Sequence, residues 1–569
     1  FGNTRIEECL SLAFKINRDK HNEKVKSNRY VVSCLVDAVC FLAEQELPFR
    51  GHEENNDSDN RGNYVELLYH RARYDERLRN HLDSSSVFVG TSHDIQNDLI
   101  DAISSVVMNK IKEEVKNATF VSAIVDEATD VNHKSQLSCV LRYVTCDDIQ
   151  ERFIKFIDVS GSQSANDLAA HLISLISEFD CGKKLVAQTY DGCSVMAGVR
   201  NGLQKYIKDK YQTAIFVHCY AHKLNLVLKQ SVECIKECKI FFETLSGFST
   251  FFSRSSKRKA AYDKYCTKRL PSVAPTRWIY AEKLVETIWD NKQTLLDFFD
   301  SVVNDQEEWD GETRVCCRGF SSTLKDFDFN FLLRLFYEIL PRAKILFDIL
   351  QAKMNDITYC SKKVQEYKNY LCDKRNNFQN FWHHCEEDFK SKSSTDEVVY
   401  KRARISIAND DRTTSYRRLY VEVLDTVISS LTDRFSNIES LEFLSLMDSS
   451  RFEIYSKVFP KTAFQSLISS YGIFFDSSVL KSELSVIYAS EEFNKNNAYE
   501  LHKYLMKTGL NSALPEVTKL SALLLTIPAT SSSVERSFSA MKRIHTYLRS
   551  TQTQERLSKL SLLAIEKVS

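Results

Sequence analysis

Glycine and proline are scarce, with 14 Gly and 7 Pro in 569 residues. A chain so poor in helix breakers is expected to be rich in helix. Charge of one sign is missing too, since Lys+Arg and Asp+Glu both number 76. That balance argues against a protein that coats nucleic acid non-specifically, although a local basic patch is enough for DNA binding. No apolar run approaches the roughly 18–20 residues of a membrane span, so no membrane partner is expected. The first residues carry no signal-peptide core, and the chain opens on Phe1 rather than Met, which leaves room for an upstream segment. The sixteen cysteines stop at Cys385 and have no framework-like spacing. They read as reduced thiols of a cytosolic or nuclear protein. There is no internal repeat.

The remaining composition is globular, with 43% hydrophobic and 27% charged residues. At this length two to four units of about 100–200 residues are expected. Residues 1–118 read as a helical region. Its clearest helix runs from about His93 to Asn117, with Leu99, Ile103, Val106, Val107, Ile111 and Val115 on one face. Gly51–Asn63 is polar and turn-rich and reads as a loop. The pattern then changes. Phe120–Val125, Gln136–Thr145 and Arg152–Val159 are strand-like. An amphipathic helix follows, carrying Leu168, Leu172, Leu175, Ile176 and Phe179. Leu185–Tyr190 and Ala214–Val217 are further strands, each followed by a helix. The order β-β-β-α-β-α-β-α predicts a mixed sheet covered by helices, an α/β core of ribonuclease H-like type. From 279 to 515 the chain reads as helical, with a break or kink at Pro341. Ser391–Thr395 and Asn409–Thr414 read as exposed connections, and 516–569 returns to helix with a break near Arg549–Thr551.

Two aspartates stand at predicted strand ends, Asp126 in AIVDEATD and Asp191 in AQTYDGCS. Carboxyl ends of strands in an α/β sheet are where sites form. Paired carboxylates there offer the hard oxygen ligands that Mg²⁺ prefers. Two such ions about 3.5–4 Å apart would clamp both oxygens of a phosphoryl transfer. Alternatively each Asp caps the turn that follows it. Glu535 lies just after a Ser/Thr run, where a glutamate also complements a helix dipole. Cys219 and His222 form C-x₂-H, half of a zinc site without a second pair at finger spacing, so a structural role is the alternative. His383, His384 and Cys385 read as a chance surface cluster. Arg254–Arg269 is basic with interleaved tyrosines, including Lys257, Arg258 and Lys259. It suits a DNA backbone with stacked bases, or else a solvated helix face.

Five blocks occur in one order: NEKVKSNRYVV with ELPFRGHEE (22–54), VDEATDVNHKSQLSCVLRYV (125–144), YDGCSVMAG with VHCYAHKLNLVL (190–228), PTRW (275–278) and PATSSSVERSFSAMKRIHTYLRST (528–551). Together they resemble the hAT transposase superfamily, closest to its branch with TTF-type or MYM-type zinc-finger relatives. The resemblance implies a DNA transposase with a large helical insertion in a ribonuclease H-like core. Its domains would be 1–118 (N-terminal helical region), 119–278 (first part of the core), 279–515 (helical insertion) and 516–569 (end of the core and dimerisation region). By position Asp126, Asp191 and Glu535 match the family's DDE triad, which implies two Mg²⁺ or Mn²⁺ ions. Asp130 is a second acidic candidate near the first position. Trp278 matches the tryptophan that stabilises a flipped base, and Arg277 is its neighbour. Cys219 and His222 match a motif near the active site. The implied partners are transposon-end and target DNA, and further copies of the chain in a homodimer or higher homo-oligomer. The C-terminal helices of about 500–567 would pair with another copy's insertion domain. The implied location is the nucleus. An N-terminal zinc finger is not evident before residue 60. The rival expectation is a domesticated factor of the same fold that binds DNA or protein and dimerises without cutting.

Overall fold

The computed structural model describes residues 6–51, 58–85, 88–145, 148–266, 268–271, 281–305, 307–352, 356–390, 409–435, 439–495 and 497–567. Its contacts divide the chain into two compact units. One unites residues 1–217 with 526–569, and the other is His218–Leu525.

The first unit opens with four helices: α1 (Ile6–Glu44), α2 (Asn63–Ala72), α3 (Glu76–Ser84) and α4 (His93–Asn117). Short polar residues start two of them. Asp75 accepts from Leu78 N at the head of α3, and Ser92 accepts from Ile95 N at the head of α4; each satisfies one of the orphan amides of a first turn. The bounds of α4 match the sequence expectation, and so does its face apart from Val106, with Leu99 and Val107 half-buried against the core. Ile100, Ile103, Ile111 and Val115 are buried, whereas Val106 is exposed.

The strands are β1 (Val121–Thr129), β2 (Ser135–Val144), β3 (Ile149–Asp158), β4 (Leu185–Tyr190) and β5 (Ile215–His218). Helix α5 (Ala165–Glu178) lies between β3 and β4, and α6 (Ser194–Ala197) and α7 (Leu203–Lys210) between β4 and β5. The sheet order is β3-β2-β1-β4-β5, antiparallel across β3-β2-β1 and parallel between β1 and β4. This is the mixed sheet expected of a ribonuclease H-like core. β1 as far as Val125 and β4 throughout are buried, because both are interior strands.

One strand is longer than its apolar run. β1 continues past Asp126 because β2 pairs back on it through Glu127–Leu137, Ala128–Gln136 and Thr129–Ser135. Asp126 therefore sits inside a strand rather than at its end. The hairpin closes at Asp130, whose Oδ1 accepts from Asn132 N and Lys134 N, while His133 takes φ 60°.

The second unit is helical. Its helices are α8 (Tyr220–Cys234), α9 (Lys236–Ser253), α10 (Ser256–Tyr265), α11 (Ala281–Asp290), α12 (Lys292–Asn304), α13 (Gly311–Lys325), α14 (Phe327–Gln351), α15 (Ile357–Asn376), α16 (Phe378–Lys390), α17 (Asn409–Phe435), α18 (Phe452–Lys457), α19 (Lys461–Tyr471), α20 (Ser477–Ala489), α21 (Ala498–Thr508) and α22 (Pro515–Thr526). Aromatic rings fill much of its interior; Phe248 stands 4.6 Å from Phe320 and Phe242 stands 4.7 Å from Phe336, centroid to centroid. α14 starts at Phe327, capped by Asp326, and runs through Pro341 without ending. Asn409–Thr414, expected as a connection, forms the first turns of α17. Ser391–Thr395 lies outside the described residues. Among the described residues no helix is long and apolar enough to cross a membrane.

The last two helices, α23 (Ser532–Ile544) and α24 (Gln554–Glu566), return to the first unit. α24 closes the open edge of the sheet at β3. Glu566 accepts from Phe153 N at 2.6 Å, Ser558 Oγ accepts from Phe156 N at 3.2 Å, and Gln554 Nε2 donates to Phe156 O at 3.0 Å. An edge strand leaves a row of unpaired backbone groups, and these side chains satisfy three of its hydrogen bonds.

Candidate functional site

Asp126 lies in β1, and Asp191 follows directly on β4, the strand parallel to it. The pairing of the two strands runs to Ile124–Thr189, two residues short of both aspartates. Asp126 also shares a face of the sheet with its antiparallel partner Ser138 on β2. Local hydrogen bonds steady both carboxylates. Asp126 Oδ1 accepts from Glu127 N at 2.9 Å, and Asp191 Oδ1 accepts from Cys193 N at 3.3 Å. The turn-capping role that the sequence allowed for Asp191 is thus present. Burial and the Asp191 carboxylate together push the Cys193 thiol up to about 11.

α23 lies on this same face. Ser138 and Ser537 share a hydrogen bond of 2.7 Å between their hydroxyls, and Phe538 stacks 5.9 Å from Phe156, which pairs with Ser138. Thr189 Oγ1 donates to Pro528 O just ahead of the helix. Val534, Ser537, Phe538, Met541 and Ile544 make the buried stripe of α23. Glu535 and Arg536 leave that stripe on opposite flanks, because successive residues turn by about 100°. Arg536 is drawn toward β3, where it pairs with Glu151 at 3.1 Å. Glu535 is half-buried in the first turns of α23.

The three carboxylates are hard oxygen donors, the chemistry that Mg²⁺ or Mn²⁺ requires. Among the described residues, the group whose ligand atoms all lie within 4.8 Å of one another is His383, His384 and Glu387; Asp126, Asp191 and Glu535 do not make such a group. In donor type the three carboxylates suit such ions. In spacing they are not gathered around a single ion.

Asp130 is already engaged. Besides closing its hairpin it accepts from Gln136 Nε2 at 3.0 Å and lies 3.9 Å from His545 Nε2. Burial holds the imidazole of His545 below its usual range, against the pull of Asp130. Sequence reasoning missed the polar ties under α23, namely Ser138, Ser537 and the buried pair Arg142–Glu151 at 2.7 Å that Arg536 joins. Their signal was a serine or arginine at an inward position of an apolar strand.

Cys219 is buried at the head of α8 and His222 lies in its first turn. The rings of His218 and His222 stand 5.6 Å apart. Burial, helped by the nearby Lys223, takes His218 down to about 3, and burial takes Lys223 down to about 8. In the basic segment, Lys257 lies 4.5 Å over the Trp309 ring and donates to Glu308 O. Arg258 donates to Thr313 Oγ1 at 2.7 Å and lies 4.4 Å over Phe251. Arg258 is half-buried by these contacts, whereas Lys257 and Lys259 are exposed. Arg277 and Trp278 lie outside the described residues.

Comparison with known proteins bears on the same segments. The family model of the ZMYM1/FAM200 RNase-like domain matches residues 5–202, which hold β1, β4, Asp126 and Asp191. That of the hAT family C-terminal dimerisation region matches residues 487–569, which hold Glu535, α23 and α24. The 52 kDa repressor of the inhibitor of the protein kinase from Mus musculus is 22% identical over 581 residues, covering 95% of this chain and 75% of its own. The protein of that name from Homo sapiens is 22% identical over 584 residues, covering 95% and 74%. The general transcription factor II-I repeat domain-containing protein 2 of Bos taurus is 24% identical over 195 residues, covering 32% of this chain and 20% of its own. The chain thus holds one segment similar to the ZMYM1/FAM200 RNase-like domain and another similar to the hAT family C-terminal dimerisation region.

Proposed function

We propose that this chain acts as a domesticated, transposase-derived factor that dimerises and binds DNA or a protein partner in the nucleus without cutting DNA. One observation carries the reading: over 95% of its length the chain is similar to proteins whose name describes a repressor rather than a transposase. The dimerisation region supports a homodimer or larger homo-oligomer. The apolar side of α24 is spent within its own chain, since Leu557, Leu560, Leu562 and Leu563 are buried there. Pairing with a second copy would then use other surfaces of the region.

A second reading, a metal-dependent DDE transposase core, is favoured by Asp126 in β1 and Asp191 just past the parallel β4, with α23 on the face that Asp126 shares with Ser138. In that reading Asp126, Asp191 and Glu535 would hold two Mg²⁺ or Mn²⁺ ions, which supply Lewis-acid stabilisation to phosphodiester cleavage and joining. The protein's own part would be to hold the three carboxylates in place for the ions.

Supercoiled plasmid and a pre-cut duplex, each incubated with Mn²⁺ and either wild type or Asp191→Ala, separate the readings. The factor reading expects duplex binding with no cleavage or strand transfer by either protein. Nicking, hairpin or joined products made by wild type and lost in Asp191→Ala would overturn it and establish the catalytic one.

A further inference from the structure

The N-terminal helix α1 has two unlike halves. From Val31 onward it is anchored, with Val31, Cys34, Leu35, Ala38, Val39 and Leu42 buried. From Phe14 to Tyr30 every side chain is exposed except Val25, which is half-buried. The reason is in the sequence. The stripe that carries Val31, Leu35, Ala38 and Leu42 continues upstream through Asn28, Lys24, His21, Lys20 and Asn17, so its apolar face stops.

The exposed half is cationic in a chain with no net charge. Residues 14–30 hold six Lys/Arg against two Asp/Glu. At about 100° per residue, Lys15, Arg18, Lys26 and Arg29 fall within an arc of about 80°. With a rise of about 1.5 Å per residue that stripe is about 21 Å long. Glu23 lies off it and Asp19 borders it, about 20° beyond Lys26; the Arg18–Asp19 ion pair at 3.7 Å is solvent-exposed and so worth little. Lys20 and Lys24 repel each other at i,i+4 on the opposite side. A helical segment without tertiary packing is marginal in water; a polyanion laid along it would supply the missing stabilisation.

We propose that the Lys15–Arg18–Lys26–Arg29 stripe of α1 is a contact surface for the phosphate backbone of duplex DNA. Over 21 Å a duplex presents about twelve phosphates, at one per roughly 1.7 Å of axis, so charge complementarity selects DNA over a neutral partner. The contact is sequence-independent and positions the chain on DNA rather than choosing a site. This rests on the DNA-binding part of the function proposed above.

The test is fluorescence anisotropy of a labelled random-sequence duplex of about 30 base pairs with the full chain between 50 and 200 mM salt. The variant combines Lys15→Gln, Arg18→Gln, Lys26→Gln and Arg29→Gln; all four side chains are exposed, so circular dichroism should not change. Four lost phosphate contacts should lower the slope of log affinity against log salt by about 3–4, at about 0.9 per contact. The affinity ratio between the two salt concentrations should then fall about 100-fold. Lys20→Gln with Lys24→Gln should change the slope by less than about 1. An unchanged slope in the quadruple variant, or the same loss per charge in both variants, would overturn the stripe. If the quadruple variant instead sediments as a monomer where wild type is a dimer, with DNA binding intact, the surface belongs to a second copy and the proposal is refuted. Wild type that binds no duplex at all would refute the DNA-binding reading itself, a separate outcome.

Discussion

Replacing Glu566 by alanine should loosen the edge of the sheet from a position 440 residues beyond Asp126 in the sequence. The Glu566 carboxylate is nearly buried and accepts from Phe153 N at 2.6 Å and from Arg152 Nη1 at 2.9 Å. Removing it leaves an amide of the edge strand without its acceptor, at a cost of about 1–3 kcal/mol. It also removes one charged hydrogen bond to Arg152, worth about 1.5–3 kcal/mol. Glu114 limits the second loss because it keeps the guanidinium through two bonds of 3.1 Å. A net destabilisation of about 3 kcal/mol follows, which for a unit of this size lowers the melting temperature by roughly 6–12 °C. Glu566→Gln keeps an acceptor for Phe153 N and should cost about half as much. Thermal unfolding followed by circular dichroism, with hydrogen exchange read at the Phe153 amide, measures both effects. A melting temperature within 1 °C of wild type in Glu566→Ala, together with unchanged protection at Phe153, would refute the edge-capping argument.

Three further outcomes are expected. Arg142→Met should destabilise the first unit by about 3 kcal/mol, since it strips the inner partner from the buried Glu151; adding Glu151→Leu should recover most of the loss, as urea titrations of both variants would reveal. Ser138→Ala and Ser537→Ala should show a coupling of about 0.5–1.5 kcal/mol in a double-mutant cycle, and additive effects would mean that the hydroxyls do not hold α23 to β2. His218 is held neutral by burial, with its folded value at about 3. Its contribution is present above the unfolded value of about 6.5 and is lost as pH falls from there toward 3, so the helical unit of His218→Phe should lose less stability than wild type between pH 7 and 5.

Much of the architecture was readable in advance because it depends on local periodicity. The short apolar run that opens Leu185–Tyr190 and the 3.6-residue spacing in 93–117 are local signals, and both elements formed within the expected bounds. Features set by partners were misread. Val106 has the right spacing for the α4 stripe but faces solvent, because the sheet and α24 select which side of that helix is covered. Asn409–Thr414 is polar enough for a loop, yet α17 begins there. Asp126 looked like a strand end because the apolar run stops at Val125, but backbone pairing with β2 carries the strand on to Thr129 whatever the side chains are.

The candidate site divides in the same way. The sequence by itself determined the residue types and their order: two aspartates after apolar strand cores, a glutamate early in a late helix, and a basic segment before PTRW. Only the tertiary structure decided that β1 runs on past Asp126 beside a parallel β4 that ends just before Asp191, that Arg536 is drawn to β3, and that Lys257 and Arg258 pack on Trp309 and Phe251. Spacing along a chain fixes which face of its own element a side chain occupies. It carries no information about which distant element covers that face, and here this was set by pairing and packing between segments hundreds of residues apart.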